Sequence, residues 1–284
     1  MGNCQYGDSN WSQRYQIRNI NFSNHLFYGS MIGMYVLINP VMDRREIHPM
    51  NSHMRLYQKE NSSTVSLLDF HSVMGRRIRV FVYGNEGPTT LVIGGIHGDE
   101  PSGVVLAEEL IKRLQSSSIK NLAGRIVVIP KANPDGFVAG TRVNARGIDL
   151  NRNFPTRDFK QGYFTRNCYP GAKAGSEPET RLIILMAEVF KPQLILAFHA
   201  ELGCVNYDGP GVQIAKAISS ENGLPVRKDL GYPTPGSLGT YFGVERNIPV
   251  ITLELLNKDD QWKRHGKALL EAIKLKGVLP GKRA

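Results

Sequence analysis

Five short apolar runs constrain this chain more than any other feature: "RIRVFVYG" at 77–84, "TTLVIGG" at 89–95, "RIVVIP" at 125–130, "QLILAFH" at 193–199 and "PVITLEL" at 249–255. Each is nearly continuous rather than alternating, as strands are when both faces of their sheet are covered. Between them lie stretches of helical period: "SGVVLAEELIKRLQ" at 102–115, "SEPETRLIILMAEVF" at 176–190, and a segment from about Asp259 to Lys276. In the second of these, Ser176 and Glu179 have the spacing of a capping box. The alternation predicts a single α/β/α sandwich with a mixed, mostly parallel central sheet. No internal repeat or low-complexity tract interrupts it.

The regular pattern begins near residue 66. Residues 1–62, rich in Asn, Ser, Tyr and Met and without a sustained period, are read as an N-terminal segment with no assigned role. Met50 and Met54 would serve as later starts. Residues 63–284 are read as the working domain, long enough to bury a substantial core.

Charge narrows the partners. The net charge is +10 and the pI about 9.5, but the basic residues are scattered, dense only in "GRRIR" at 75–79 and the final "GKRA". No basic stripe is interleaved with aromatics, so nucleic acid is not the expected partner. Cys4, Cys168 and Cys204 are odd in number and widely spaced, which suggests neither a disulfide framework nor a cysteine metal cluster. Cys204 is read as a loop or core thiol. The apolar stretch "LFYGSMIGMYVLINPVM" at 26–42 is too short for a membrane span and lacks the end of a signal peptide. A cytoplasmic location with no membrane span is the expectation.

In α/β folds, chemistry collects on loops at strand ends. His97 and Glu100 follow one run in "LVIGGIHGDEPSG", His199 ends another in "ILAFHAE", and Glu254 closes a third in "ITLELL". Two imidazoles and a carboxylate can hold Zn²⁺ and leave a fourth position for water. Glu254 is the candidate general base, because a carboxylate in an otherwise apolar strand end is costly without a purpose or a partner. The loop "GTRVNARGIDLNRNFP" at 140–155 gathers Arg142, Arg146, Asn151, Arg152 and Asn153, and its guanidinium forks suit a substrate carboxylate or a developing oxyanion.

The strings "GIHGDE", "DLNRNFP", "GSEPET", "FH", "GYPTPGS" and "ITLEL", in this order over roughly residues 66–280, resemble the zinc carboxypeptidase family. More narrowly, they resemble its bacterial murein tripeptide amidase branch, which cuts the γ-D-glutamyl to meso-diaminopimelate bond. The resemblance implies a zinc metallopeptidase holding one Zn²⁺ ion on His97, Glu100 and His199. It makes Glu254 the carboxylate that activates water and passes the proton to the leaving amine. Asn151 and Arg152 would grip the substrate's terminal carboxylate, Arg142 would polarise the scissile carbonyl, and Asp149 would orient the first histidine. Tyr232 stands near the family's mobile tyrosine, one position uncertain in register. The implied partner is a small muropeptide of cell-wall recycling. Rival readings are an N-acyl amino acid deacylase of the aspartoacylase or succinylglutamate desuccinylase type, a carboxypeptidase on L-peptides, and a non-catalytic muropeptide-binding protein. Retention of all three ligand positions and of Glu254 weighs against the last.

Overall fold

The computed structural model describes residues 70–84, 87–116, 124–161, 166–257 and 260–275. The expectations for residues 1–62 and for a boundary at 63 lie outside these.

Valine, isoleucine and leucine fill β4 (Thr89–Ile93), β5 (Arg125–Ile129) and β6 (Leu194–Ala200), and almost every side chain in them is buried. Such residues suit strands packed on both faces, where the branched side chains meet neighbours above and below the pleat. With β3 (Phe81–Tyr83), β7 (Cys204–Asp208), β8 (Val226–Arg227) and β9 (Val250–Leu255) they form one sheet in the order β3-β5-β4-β6-β9-β7-β8. The inner block β5-β4-β6-β9 is parallel, β3 and β7 run antiparallel to their inner neighbours, and β8 runs parallel to β7.

The pleat sorts alternate residues into two cores. Val92, Leu196, Phe198 and Leu253 pack with α1 (Pro101–Gln115), α4 (Val212–Asn222) and α5 (Gln261–Leu275). Leu91, Ile93, Ile195 and Ala197 pack with α3 (Pro178–Phe190) and a π-helical turn at Gly239–Val244. Full burial of each valine, leucine, isoleucine or phenylalanine among them contributes about 1.5–3 kcal/mol. A short helix α2 (Pro134–Ala139) and a separate ribbon of β1 (Phe70–His71) with β2 (Arg77–Ile78) complete the described elements. This is the α/β/α sandwich with a mixed, mostly parallel sheet.

Two expectations need correcting. The run at 77–84 is not one strand. Ile78, Val80 and Val82 do keep to one core, and Phe81 and Tyr83 to the other. Hydrogen bonding, however, changes partner across Arg79 and Val80, from β1 to β5. Hydropathy reports the period of a segment and not the neighbour it pairs with. The capping box is also absent: Glu177 is the N-cap, and no side chain caps the helix. Glu179 is instead fully buried, accepting from the Val73 N–H at 3.2 Å and from Asn144 Nδ2 at 3.3 Å, so it ties α3 to the β1–β2 turn.

Candidate metal centre and active-site cleft

Strand β4 is followed by Gly94-Gly95, and Gly95 adopts φ +61°, a left-handed conformation that side chains resist. The turn brings His97 back over the C-terminal edge of the sheet. Gly98 lies so close to Gly136 of α2 that a Cβ there would overlap its backbone. Glu100 then forms the N-cap of α1, with Pro101 in the first turn, yet its side chain makes no capping bond. That carboxylate is therefore available, and it sits at a helix end whose exposed N–H groups favour negative charge.

It points at two histidines. His97 Nδ1 lies 2.8 Å from Glu100 Oε1, His199 Nδ1 lies 2.9 Å from Glu100 Oε2, and the two Nδ1 atoms are 3.0 Å apart. All three residues are buried. Their ligand atoms fall within 4.8 Å of one another, the one such group of His, Cys, Asp or Glu among the described residues. Two imidazole nitrogens and a carboxylate converging on one point are the donor set of a catalytic zinc site, so the residues fit the ion. Cys204 lies on β7 opposite Glu254, not in a loop, and takes no part in this group.

Asp149 is fully buried and fixes His97 from behind. Its Oδ1 lies 3.1 Å from His97 Nε2 and 2.9 Å from the Asn151 N–H, and its Oδ2 accepts from Arg142 Nε at 3.1 Å. Burial alone would raise the Asp149 pKa, but the charges of His97, Arg142 and Arg152 hold it well below the usual carboxylate range. An ionised carboxylate can only accept, so Nε2 carries the proton and Nδ1 is turned to the ligand group. Burial also opposes charge on His97, yet Glu100 and Asp149 outweigh it and push the imidazole up to about 9. Glu100, which burial would raise, is driven well below its ordinary value by the two imidazoles. Without an ion, a proton holds these groups together, and metal binding must displace it. Asp149→Asn is expected to weaken zinc binding by about 10- to 100-fold, read by competition with a chromophoric chelator. Unchanged affinity would remove Asp149 from this role.

Glu254 stands level with His199, its register partner on the adjacent parallel strand β9. Burial, with the charge of Glu100, raises its pKa against the opposing pull of the imidazoles and of the Leu202 N–H. The 3-10 turn Leu150–Arg152 begins at Asp149 and carries Asn151 and Arg152 to the opposite wall. Asn151 Oδ1 accepts from the Leu238 N–H at 2.9 Å, so its amide N–H donors remain for a ligand. Arg152 is buried and donates to the Asn151 carbonyl.

These side chains line one cleft of about 230 Å³, which also includes Arg142 and Tyr232. Arg142 is partly spent, since it pairs with Asp149 and approaches Glu100 at 3.4 Å. Tyr232 is 48% exposed. The cleft further includes Asn206 and Asp208 of β7, Ser237, Gly239 and Thr252, none of which sequence reasoning had singled out. The signal for β7 is "CVNYD", with alternating polarity and bracketed by Gly203 and Gly209, both at positive φ.

Residues 50–210 match the family model described as zinc carboxypeptidase, more than half of the chain. The murein peptide amidase A of Escherichia coli (strain K12) is 33% identical over 175 residues, covering 58% of this chain and 69% of that protein. The crystal structure of the murein-tripeptide amidase from Escherichia coli O157 aligns with TM-score 0.61 and 27% identity, over 81% of this chain and all of that one. An N-alpha-acetyl-L-2,4-diaminobutyric acid deacetylase from Halomonas elongata is 36% identical over 92 residues, 30% of this chain and 26% of that protein.

Proposed function

The chain belongs to the zinc carboxypeptidase family of hydrolytic enzymes, and on that premise we propose that it is a zinc-dependent amidase of murein peptides, cutting between γ-D-glutamate and meso-diaminopimelate. The observation that carries this reading is the convergence of His97, Glu100 and His199 in a cleft shared with Glu254, Asn151 and Arg152. The likeness to the murein amidases supports the substrate class. We assign the catalytic domain to residues 63–284. Among the described residues no helix is long and apolar enough to cross a membrane, and we place the enzyme in the cytoplasm, where released wall peptides would be recycled.

His97, Glu100 and His199 would hold the ion. When bound there, zinc supplies Lewis-acid polarisation of a carbonyl and lowers the pKa of a water to about 7. Arg152 and the Asn151 amide grip the terminal carboxylate of the substrate, which fixes the scissile bond over the ligand group. Glu254 Oε takes a proton from the attacking water and delivers it to the leaving amine nitrogen, and burial suits it to both halves by raising its basicity. Arg142, anchored on Asp149, faces the carbonyl oxygen as charge develops there.

The test is release of free diaminopimelate from L-Ala-γ-D-Glu-meso-diaminopimelate by zinc-loaded protein, followed by mass spectrometry. No release from zinc-loaded protein would reject the muropeptide assignment. Release of diaminobutyrate from its N-acetyl form would then favour the second reading, a deacylase, which rests on the Halomonas relative. Arg152→Ala is expected to raise KM about 10- to 100-fold for substrates ending in a free carboxylate, the loss of a charged hydrogen bond. It should leave KM unchanged for the corresponding amide-capped substrate. An equal effect on both would take Arg152 out of carboxylate binding.

A further inference from the structure

The loop that carries Arg142 and Asp149 is held by residues that do not line the cleft. Asn144, between the two in sequence, is buried, and its side chain uses every hydrogen-bonding position it has. Its Oδ1 accepts from the N–H groups of Arg146 at 3.0 Å and Ile148 at 3.1 Å, while its own N–H donates to the Ile148 carbonyl at 2.9 Å. These bonds close residues 144–148 into a turn, with Gly147 at φ +73°. The Asn144 Nδ2 donates outward, to Glu177 Oε2 at 2.8 Å and to Glu179 Oε2 at 3.3 Å.

Both carboxylates are fixed independently of Asn144. Glu177 is the N-cap of α3 and Glu179 lies in its first turn, at the helix end that favours negative charge. Glu177 Oε1 accepts from Ser176 Oγ at 2.7 Å, and Glu179 Oε1 accepts from the Val73 N–H. Two buried carboxylates so close oppose one another: burial, with the charge of Glu177, raises the Glu179 pKa. The Asn144 amide is a donor common to both. The two halves of the loop thus have different anchors. Arg142 and Asp149 flank the turn that α3 clasps, and they meet at 3.1 Å beside His97. Asn151 and Arg152 are held instead by the 236–238 segment, through the Leu238 N–H on Asn151 Oδ1 and through Gly236, where a Cβ would overlap the Arg152 carbonyl.

We propose that Asn144 is a positioning residue: clasped by Glu177 and Glu179 at the head of α3, it sets the Arg142–Asp149 pair against His97 and acts on the metal centre through Asp149. The inference rests on the zinc hydrolase reading above and deepens it. It separates the loop into a half that serves the ion and the scissile carbonyl, governed from α3, and a half that serves the terminal carboxylate, governed from residues 236–238.

Asn144→Asp keeps the acceptor for Arg146 and Ile148 but turns a third carboxylate toward Glu177 and Glu179. It is expected to weaken zinc binding roughly 10-fold, the lower edge of the range for loss of a ligand's direct support, read by chelator competition. In an Asp149→Asn background it should cost little more, because both changes act through one contact. At saturating zinc, kcat should fall roughly 10- to 100-fold, the cost of a small misplacement of a catalytic group, with KM near the wild-type value. Adding Glu177→Gln returns a donor to the 2.8 Å contact and should recover most of both losses. If Asn144→Asp does not fold, Asn144→Ser, which removes the donor without adding charge, is read in the same cycle. Wild-type zinc affinity, full additivity with Asp149→Asn, a raised KM at unchanged kcat, or no recovery with Glu177→Gln overturns the proposal. Zinc affinity needs no substrate, so a wild type that binds zinc without cleaving the γ-glutamyl bond rejects the muropeptide assignment and leaves the zinc cycle to decide the role of Asn144.

Discussion

Glu254→Gln is expected to bind zinc as wild type does and to lose about 10²- to 10⁴-fold in kcat, the range spanned by a positioned general base. The amide preserves the shape of the side chain and its acceptor for the Leu202 N–H, but cannot carry a proton from water to amine. The acid limb of the wild-type kcat/KM profile should lie above the ordinary glutamate value, because burial raises Glu254. The base works only when ionised, so activity falls as pH drops through that raised pKa. Stability moves the other way. With its folded pKa above its unfolded one, ionised Glu254 weighs against the fold at neutral pH, and that burden lifts as pH falls through the folded pKa. The metal-free Gln variant should consequently melt no lower than metal-free wild type. Wild-type turnover by Glu254→Gln would end its assignment as base. A large drop in melting temperature would recast a loss of activity as misfolding.

His199→Ala is expected to abolish turnover and to weaken zinc binding by more than the about 10- to 100-fold that loss of a supporting residue produces. The substitution removes one of three ligand atoms and leaves His97 and Glu100 to hold the ion alone. Thermal shift reads it without an activity assay. Zinc at a hundred times its Kd stabilises a folded protein by about 2.7 kcal/mol, which for a domain of this size raises Tm by roughly 5–10 °C. The variant should show little of that rise at the same zinc concentration. A full wild-type shift in His199→Ala would take His199 out of the ligand set.

The parts of the centre that lie at the ends of apolar runs were legible in the sequence. His97, His199 and Glu254 each follow or close such a run, and in a parallel sheet those ends must share one edge. Asp149 and Arg142 were not legible in this way. They are carried to the centre by an irregular loop whose path depends on contacts such as Asn144 to Glu177 and the Asp149 N–H to the Tyr169 carbonyl; residue chemistry marked Arg142 only as one of several basic residues of that loop, and the family resemblance alone singled out Asp149. Strand β7 and the edge strand β8 escaped because one face of β7 is polar, which reads as loop, and β8 is only two residues long. That same polar face supplies Asn206 and Asp208. Glu179 escaped for the opposite reason. A local spacing explained it well, and a contact 106 residues away in sequence displaced that explanation.

The ligand group is drawn from neighbouring strands β4 and β6, and the base from β9 beside them, although His97 and His199 are 102 residues apart in the chain. Pairings over such separations carry the loop-closure entropy that makes high contact order slow to fold. A partly collapsed chain holds the histidines but not their juxtaposition, and a one-residue slip between β4 and β6 would turn His199 to the other face of the sheet. Zinc stoichiometry therefore doubles as a census of correctly threaded molecules. In any preparation it counts those in which the central parallel block has closed in register.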